Sequence, residues 1–584
     1  RKEMTQTFPE GRDPYLVETP NYVRNYNSNN IYQAINVWAE YKKSFNDVHN
    51  LSLMAGYNQE EKTYASTSYT MTDLYDNEMP ISDLAINYKE NEEGSDIWRV
   101  QGAFFRLNYD YRSKYLLEVN GRYDGSSKYA KHDRWAFFPS ASVGWRISEE
   151  KFFKSLSKVV DNLKIRASIG ALGNQITDGN HSFMSIISGK VLTNYMMDGK
   201  IVNGLNIPTL PSMVTWEKVI TKDIGLDWSL FKNRLFGSFD FYVRDTKDMV
   251  RSVTLPAVLG TSGGKENIAD MRTVGWELEM TWKDRIQNVL GSPLDYSLTV
   301  GLSDYQAEIT KYDNPNGSLA SGMYHKGQKL GEIWGYQADD LFMSNREVDE
   351  YLKKVDLSFF KSDNDWQRGD VKYIDSDGNG KVDPGKGTLA DHGDLKKIGN
   401  ATPKYSFGIN LNAGYKGFEV SALFQGVAKR QFAMAGAQYL YGANCYFKEH
   451  LDYFSAQNPG GYLPRLTDYS TKDYEVNAGY NTTRYLLNAA YMRLKNLMVS
   501  YTFKPQLVKN IGLSGLKVYF TCDNLFTITK LPKQFDPETL NQVNWIVGGS
   551  NDSAPGLTSP LTKNGNGRVY PMNRNFVFGI DVTF

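Results

Sequence analysis

Hydrophobic and polar residues alternate with a period of two through much of the chain. Near the carboxyl end, Phe576, Phe578, Ile580, Val582 and Phe584 fall on one side of an extended backbone, and polar or small residues mostly occupy the positions between them. A period of two is that of a β-strand, whose successive side chains point to opposite faces of a sheet. The sequence therefore predicts a final strand that ends on an aromatic residue.

The same alternation recurs upstream in segments joined by tight turns. Residues 105–111 carry apolar side chains at odd positions, and after the turn at 112–114 the pattern resumes. Further alternating segments lie at 141–147, 163–170, 223–230, 235–243, 276–282, 296–302, 405–411, 418–424 and 516–522. We count about fourteen or fifteen strands of about ten residues each, the length that a tilted strand needs to cross a bilayer.

The two sides of these strands differ in composition. The apolar side is rich in Tyr, Phe and Trp near the strand ends, whereas the other side carries Arg, Asn and Asp. An outer-membrane barrel has an apolar outward band flanked by aromatic girdles and a polar interior. An aromatic edge strand ending a soluble domain would instead invite aggregation. The sequence predicts an all-β fold, a transmembrane antiparallel β-barrel.

Short and long connections alternate along the chain. Long segments lie at 60–98, 173–212 and 246–270, and then at 307–400, 427–490 and 526–572. Outer-membrane barrels have short periplasmic turns and longer extracellular loops. We therefore expect the last three segments to be extracellular loops. We expect residues 1–584 to form the C-terminal part of a barrel whose plug and first strands lie outside this sequence.

Composition narrows the functional classes. The 584 residues contain 66 basic and 66 acidic side chains, so no net charge favours nucleic acid as a partner. No run of eighteen apolar residues marks a transmembrane helix. Aromatic residues make up 14%, which suits girdles and binding loops. Cys445 and Cys522 lie in a long loop and a strand, and we expect no disulfide.

Several separated segments resemble one known family. The segment GRYDGSSK at 121–128 is followed by RWAFFPSASVGWRI at 134–147. Others are NRL at 233–235, GD at 369–370 leading into DSDGNGK at 375–381, RLKNL at 493–497, DNLF at 523–526, DPE at 536–538 and YP at 570–571. In this order they resemble the SusC/RagA-type TonB-dependent transporters of Bacteroidota, over nearly the whole chain.

The resemblance implies a barrel of about 22 strands in the outer membrane, surrounded by its lipid and filled by an N-terminal plug. It also implies a SusD-like lipoprotein lid, a dimer of SusC–SusD pairs, and energy supplied by the TonB–ExbB–ExbD complex. The expected function is active import of oligosaccharides. Import of oligopeptides is the alternative within the family, and a passive porin or surface adhesin is the alternative outside it.

One loop carries a cation-binding pattern. Oxygen ligands recur as in an EF-hand loop, with Gly380 at the sixth position. The candidate ligands are the side chains of Asp375, Asp377, Asn379 and Asp383 and the backbone carbonyl of Lys381. Lys386 stands where a bidentate Glu belongs, and Asp370 or Asp391 could complete the set. A Ca²⁺ site and an Asp/Gly-rich turn both remain open, and no cofactor is required.

We expect no catalytic residue. The six His residues show no paired metal spacing, and no nucleophile motif is present. Glu277 and Glu279 share one side of a strand, where they fit solvated wall charges better than a glycosidase pair. Loop aromatics could stack on sugar rings, pack against a lid or form loop core. The substrate-binding candidates are Trp334, Tyr336, Trp366, Tyr439 and Tyr441.

Overall fold

The computed structural model describes most of the chain from Tyr22 onward. The described residues are 22–75, 81–175, 179–181, 183–184, 191–197, 200–205, 211–253, 263–320, 322–360, 366–434, 448–467, 476–477, 480–540 and 571–584. Within them, one sheet contains fifteen strands. They are β1 (Tyr22–Phe45), β2 (His49–Leu74), β3 (Ala85–Tyr111), β4 (Tyr115–Ser126), β5 (Trp135–Arg146), β6 (Val160–Asn174), β7 (Glu217–Leu230), β8 (Leu235–Ser252), β9 (Lys265–Val289), β10 (Ser292–Lys311), β11 (Lys404–Tyr415), β12 (Phe418–Lys429), β13 (Tyr491–Thr502), β14 (Gly515–Thr529) and β15 (Asn575–Thr583).

The strands follow one another across the sheet in sequence order, and each pairs with the next in antiparallel fashion. This up-and-down order is that of a transmembrane β-barrel wall. The predicted fold class and strand number are therefore confirmed. Cross-strand register places Arg106 opposite Asn120 and Asp240 opposite Glu277, so polar side chains share one face. We call this face the lumenal face.

Several strands are much longer than the predicted ten residues. β1, β2, β3 and β9 contain 24, 26, 27 and 25 residues. The segment 60–98, predicted as a loop, is largely a paired hairpin in which Leu74 lies opposite Ala85. That prediction is wrong. The segment is mostly polar on both sides, so the alternation that marks a strand is missing from its sequence. Its Thr and Tyr residues nevertheless favour a strand.

Tight turns lie at one edge of the sheet. Pairs of residues with positive φ connect neighbouring strands there, namely Asn46 and Asp47, Arg112 and Ser113, Leu290 and Gly291, and Lys416 and Gly417. At Leu290–Gly291 and Lys416–Gly417, two successive left-handed residues form the type I′ turn of a two-residue hairpin, whereas the other two turns contain three residues. Since short turns face the periplasm in outer-membrane barrels, we expect the long connections to lie at the extracellular edge.

The three longest connections pack around one hydrophobic core, which we call the outer lobe. It comprises the described parts of 312–403, 430–490 and 530–574. Its elements are the helix α1 (Asn345–Leu352) and three two-stranded ribbons, Glu332–Gly335 with Lys396–Asn400, Ala338–Leu341 with Val371–Tyr373, and Gln431–Ala433 with Leu486–Asn488. The segments predicted at 307–400, 427–490 and 526–572 thus share a core instead of standing as separate loops.

Two further features of the described residues concern their helices and their cysteines. Across the described ranges, the structure contains no helix that is both long and apolar enough to span a membrane. Cys522 is a free, buried thiol on β14, and Cys445 lies outside the described residues.

Candidate functional site

The loop aromatics predicted to bind substrate divide into two groups. Trp334, Tyr336 and Trp366 are 4%, 1% and 5% exposed and belong to the core of the outer lobe. The ring of Tyr336 meets that of Phe360 edge-on at 5.1 Å. Tyr439 and Tyr441 lie outside the described residues. The three tryptophan and tyrosine rings hold the lobe together in this conformation, and substrate stacking by any of the five stays a prediction.

Burial also fixes the protonation state of Tyr336. Burial raises the pKa of its phenol well above the ordinary value, and the nearby acidic groups Tyr480, Asp394 and Asp383 raise it further. The hydroxyl therefore stays neutral at any physiological pH. The signal that separates such core aromatics from binding aromatics is burial, which the sequence of a long loop does not reveal.

Buried polar groups tie the segments of the outer lobe to one another. Asp370 is fully buried, and its carboxylate accepts hydrogen bonds from Arg465 Nε at 2.6 Å and from Asn477 Nδ2 at 2.8 Å. Arg430 is likewise buried and donates to the carbonyl oxygens of Pro537 and Leu540, both at 3.0 Å. These contacts join the first segment to the second and the second to the third. The described parts of the three segments are thus joined by buried polar contacts as well as by the shared hydrophobic core.

The predicted cation loop folds into a compact turn. Asp375 accepts hydrogen bonds from the backbone N–H groups of Gly378 and Gly380 at 2.7 and 2.8 Å. Asp377 accepts from the backbone of Asn379 at 3.0 Å. Gly378 and Gly380 have φ of +78° and +82°, a left-handed conformation that glycine adopts without strain. The Asp, Asn and Gly residues therefore specify this turn whether or not a cation is bound.

Three carboxylates converge beside this turn. Oxygens of Asp375, Asp377 and Asp394 all lie within 4.8 Å of one another. Asp375 and Asp377 belong to the predicted ligand set, whereas Asp394 was missed because it lies outside the spacing of an EF-hand loop. Between described residues, no ion pair joins these three carboxylates to a Lys or Arg nitrogen. The arrangement concentrates negative charge that a hard cation would neutralise.

Two of the remaining predicted ligands, Asp383 and Asn379, are engaged elsewhere. The Asp383 carboxylate pairs with Lys381 Nζ at 2.8 Å, and Asn379 Oδ1 accepts from the backbone of Lys381 at 2.8 Å. Of the two acids proposed to complete the set, Asp370 binds Arg465, and Asp391 Oδ2 lies 3.9 Å from Lys386 Nζ. The structure therefore places Asp394 where the sequence suggested Asp370 or Asp391.

The pKa values of Asp394 and Asp375 are shifted in opposite directions. Burial raises the pKa of Asp394 above its ordinary value, against the two backbone N–H groups of Ser376 and Asp383 that donate to it. Burial acts in the same direction on Asp375, but donation from Gly380 and Gly378 outweighs it and lowers the pKa. A nearby positive charge would therefore favour the ionised form of Asp394, which burial disfavours.

Glu277 and Glu279 lie on the lumenal face of β9. Glu277 is opposite Asp240 on one side and Ser303 on the other, and Glu279 is opposite Ser238 and Gly301. Both line an open cavity of about 580 Å³ along the wall. Nearby, Arg166 pairs with Asp223, Asp227 and Asp240 at 3.5, 3.1 and 2.5 Å. These wall charges suit a water-filled lumen.

A family comparison gives the same architecture. The family model described as "TonB dependent receptor-like, beta-barrel" matches residues 4–525. TonB-dependent receptor P3 of Formosa agariphila is 27% identical over 526 residues, covering 85% of this chain and 48% of the relative. TonB-dependent receptor SusC of Bacteroides thetaiotaomicron is 25% identical over 460 residues, covering 76% of this chain and 41% of the relative.

A solved structure shares the fold. The RagAB peptide transporter superimposes with a TM-score of 0.71 and 21% identity, covering 98% of this chain and 57% of that chain. The chain spans about half the length of the curated relatives that it matches. The similarity to SusC- and RagA-type proteins that the sequence motifs indicated is confirmed.

Proposed function

Because the chain belongs to the TonB-dependent receptor-like β-barrel family, we propose that it forms the major part of a SusC-like importer that takes up oligosaccharides. The protein resides in the outer membrane, and its family transports ligands and does not catalyse reactions on them. The feature that supports import most strongly is the outer lobe. It is a folded cap on the extracellular edge of a wall whose lumenal face is polar.

The proposed partners follow from the same family. A SusD-like lipoprotein would close over the outer lobe, and the TonB–ExbB–ExbD complex would supply energy from the inner membrane through the N-terminal region. A dimer of such pairs is the proposed assembly. A loop surface held by buried contacts, such as Asp370 with Arg465, suits repeated docking of a lid because it needs little ordering upon binding.

A peptide importer is the second candidate within the family. The fold similarity to the RagAB peptide transporter favours it. A passive porin or surface adhesin is the rival from another class. A cap packed around a large hydrophobic core has no evident use in a passive pore, which needs an open path for diffusion.

Purification from the native outer membrane tests the proposal. The full-length protein is extracted in mild detergent, and co-purifying proteins and bound small molecules are identified by mass spectrometry. We expect a surface lipoprotein in equal amount, with a neutral oligosaccharide between the two. Bound oligopeptide would favour the second candidate, and a barrel recovered without a lipoprotein would favour the porin or adhesin.

We further propose that the Asp-rich loop holds Ca²⁺ as a structural ion, with Asp375, Asp377 and Asp394 as the carboxylate ligands. Three oxygen ligands suit a hard cation that completes its shell with carbonyl groups and water. Asp394 supports this proposal because it is fully buried and the described partners of its carboxylate are two backbone N–H groups. The ion would brace the outer lobe and take no part in transport chemistry.

A further inference from the structure

The segment 121–128, which marked the family resemblance, builds an ordered charged pair on the lumenal face. Arg122 donates to Asp124 through Nε at 3.1 Å and through Nη2 at 2.9 Å. The guanidinium also lies 5.4 Å from the ring of Phe104. Two parallel hydrogen bonds and an aromatic face hold it in one orientation. Its side chain is nevertheless 46% exposed, so part of the guanidinium faces the lumen.

Gly102 makes room for this pair. It lies directly opposite Asp124 on the neighbouring strand, and a Cβ atom at Gly102 would come within 1.9 Å of Asp124 Oδ1. Any side chain here would displace the carboxylate and release Arg122. Because Gly102 has an ordinary β-strand backbone, it is its lack of a side chain that the Arg122–Asp124 pair requires.

The turn after β4 positions a lysine beside a tryptophan. Ser126 is fully buried, and its hydroxyl donates to Gln175 Oε1 at 2.8 Å and accepts from the backbone of Lys128 at 3.3 Å. These bonds fix the path of the chain at Lys128. Its ammonium group then lies 5.5 Å from the ring centroid of Trp98 on β3.

These groups line one cavity of about 440 Å³ near the extracellular end of the wall. Trp98, Arg122, Asp124 and Lys128 meet there with the amide side chains of Asn58 and Asn174. Asn58 and Asp124 both lie opposite Gly102, from either side, so the two side chains point to the same face. The cavity therefore opens on the lumenal face of the wall.

We propose that this cavity, the upper lumenal site, binds a neutral oligosaccharide, an inference that rests on the proposed importer. The charges of Arg122 and Lys128 are balanced by those of Asp124 and Glu60, so the lining attracts neither anions nor cations. What remains is a planar indole and several fixed donors and acceptors. A sugar ring matches this combination, because its C–H face packs on an aromatic ring while its hydroxyl groups bond to amides and guanidinium.

The wall argues against an extended peptide at the same place. Peptides that bind along a sheet add their backbone to an unpaired strand edge. Around the cavity, β2 pairs with β1 and β3, and β4 pairs with β3 and β5. Among the described strands that line the cavity, β2, β3 and β4 are therefore paired along both edges and offer no free edge to a peptide backbone. Recognition here must run through side chains.

Calorimetric titration of the full-length protein in lipid nanodiscs tests the upper lumenal site. The probes are neutral malto-, xylo- and manno-oligosaccharides, acidic oligogalacturonates and a mixture of short peptides. We expect wild type to bind at least one neutral series. Trp98→Ala should weaken that binding about tenfold, because the stacking surface is lost. Trp98→Phe, which retains a flat ring and guards against misfolding, should recover most of it.

Arg122→Gln provides a second, independent variant, and Arg285→Gln is its matched control. Arg285 also forms a bidentate pair, with Asp295 on the neighbouring strand at 2.5 Å, but it lies beside the periplasmic turn, far along the wall from the cavity. We expect Arg122→Gln to weaken binding and Arg285→Gln to leave it unchanged. All variants are compared at equal outer-membrane abundance.

The outcomes separate this inference from the proposed function. Wild-type binding that persists unchanged in Trp98→Ala and Arg122→Gln would overturn the upper lumenal site while leaving the importer intact. Preference of wild type for oligogalacturonates or peptides would also overturn it. If wild type bound none of the probes and cells imported none of them, the importer proposal would fail together with it.

Discussion

Asp370 illustrates how one buried side chain can decide the integrity of the outer lobe. Its contacts with Arg465 and Asn477 cross between two segments far apart in sequence. We expect Asp370→Ala to destabilise the lobe by about 3 kcal/mol, because it leaves a partly buried guanidinium without its partner. Limited proteolysis of intact cells should then cleave the lobe about a hundredfold faster, while the wall stays folded.

Asp340→Ala is the matched control. Asp340 also pairs across these segments, with Arg484, but it is 62% exposed. An exposed ion pair contributes about 0.5 kcal/mol, so cleavage should change little. Equal sensitivity of the two variants would contradict the assignment of Asp370 as a buried connection.

Because the pKa of Asp394 is raised, the proposed binding of Ca²⁺ should depend on pH. Burial raises its pKa above the value of about 4 that an aspartate has in the unfolded chain. The folded protein therefore binds this proton more tightly, and ionisation of Asp394 lowers stability as the pH rises through that interval. A bound cation offsets this loss. Calcium affinity should in turn fall as the pH is lowered toward the raised pKa, because protons compete for the ligand.

Thermal unfolding with and without Ca²⁺ across the acidic range measures this effect. We expect Ca²⁺ to raise the unfolding temperature near neutral pH, and we expect Asp394→Asn to abolish the increase. Asp391→Asn is the control, because Asp391 lies in the same loop outside the cluster. A calcium effect that survives Asp394→Asn would show that the carboxylate cluster is not the site.

For single residues, the sequence indicated which side chains could bind a cation or a sugar better than it indicated which of them are buried. The spacing identified Asp375 and Asp377, since an EF-hand-like pattern is local. Asp394 joins them only through the folded path of the loop, which no spacing rule describes. Trp334 and Trp366 could not be separated from binding aromatics, because a tryptophan in a long polar loop has the same sequence context in either role.

The positions of the strands could be predicted well from the sequence, whereas their lengths could not. Bilayer-facing positions alternate with lumenal ones, so the wall could be predicted from period-two patterns such as that of β15. The period-two alternation is lost in the parts of the strands that extend beyond the bilayer. Beyond that point β2 and β3 continue as a hairpin that projects from the wall with polar residues on both faces, and only the structure shows it.

The positions of the turns predict the orientation of the wall. Asp83 is exposed near the tip of the projecting hairpin, and Ser113 is exposed in a tight turn at the opposite edge. We expect Asp83→Cys to react with a membrane-impermeant maleimide in intact cells. Ser113→Cys should react only after the outer membrane is permeabilised. Cys445→Ser serves as the background, in which the buried Cys522 remains.

The two cysteine variants control for each other, because they test opposite edges of one sheet. Labelling of Ser113→Cys in intact cells, with protection of Asp83→Cys, would invert the proposed topology. It would place the outer lobe in the periplasm, where no lid lipoprotein on the cell surface could reach it.

At the scale of the whole molecule, the wall and the lobe form two cooperating parts. The sequence indicated the wall through periodicity and the family through separated motifs, and the family model confirms both. The shared core of the lobe could not be predicted, because Phe432, Phe535 and Tyr373 come together from three distant segments. Long-range packing of this kind has no local signature in one sequence.

We propose that this wall belongs to an energised importer of oligosaccharides. Uptake of fluorescently labelled neutral oligosaccharides into cells that contain or lack the full-length protein, with and without a protonophore, tests this proposal. We predict that uptake requires the protein and stops when the proton-motive force is dissipated. Uptake that requires the protein but continues unchanged in the presence of the protonophore would contradict the claim and identify a passive pore.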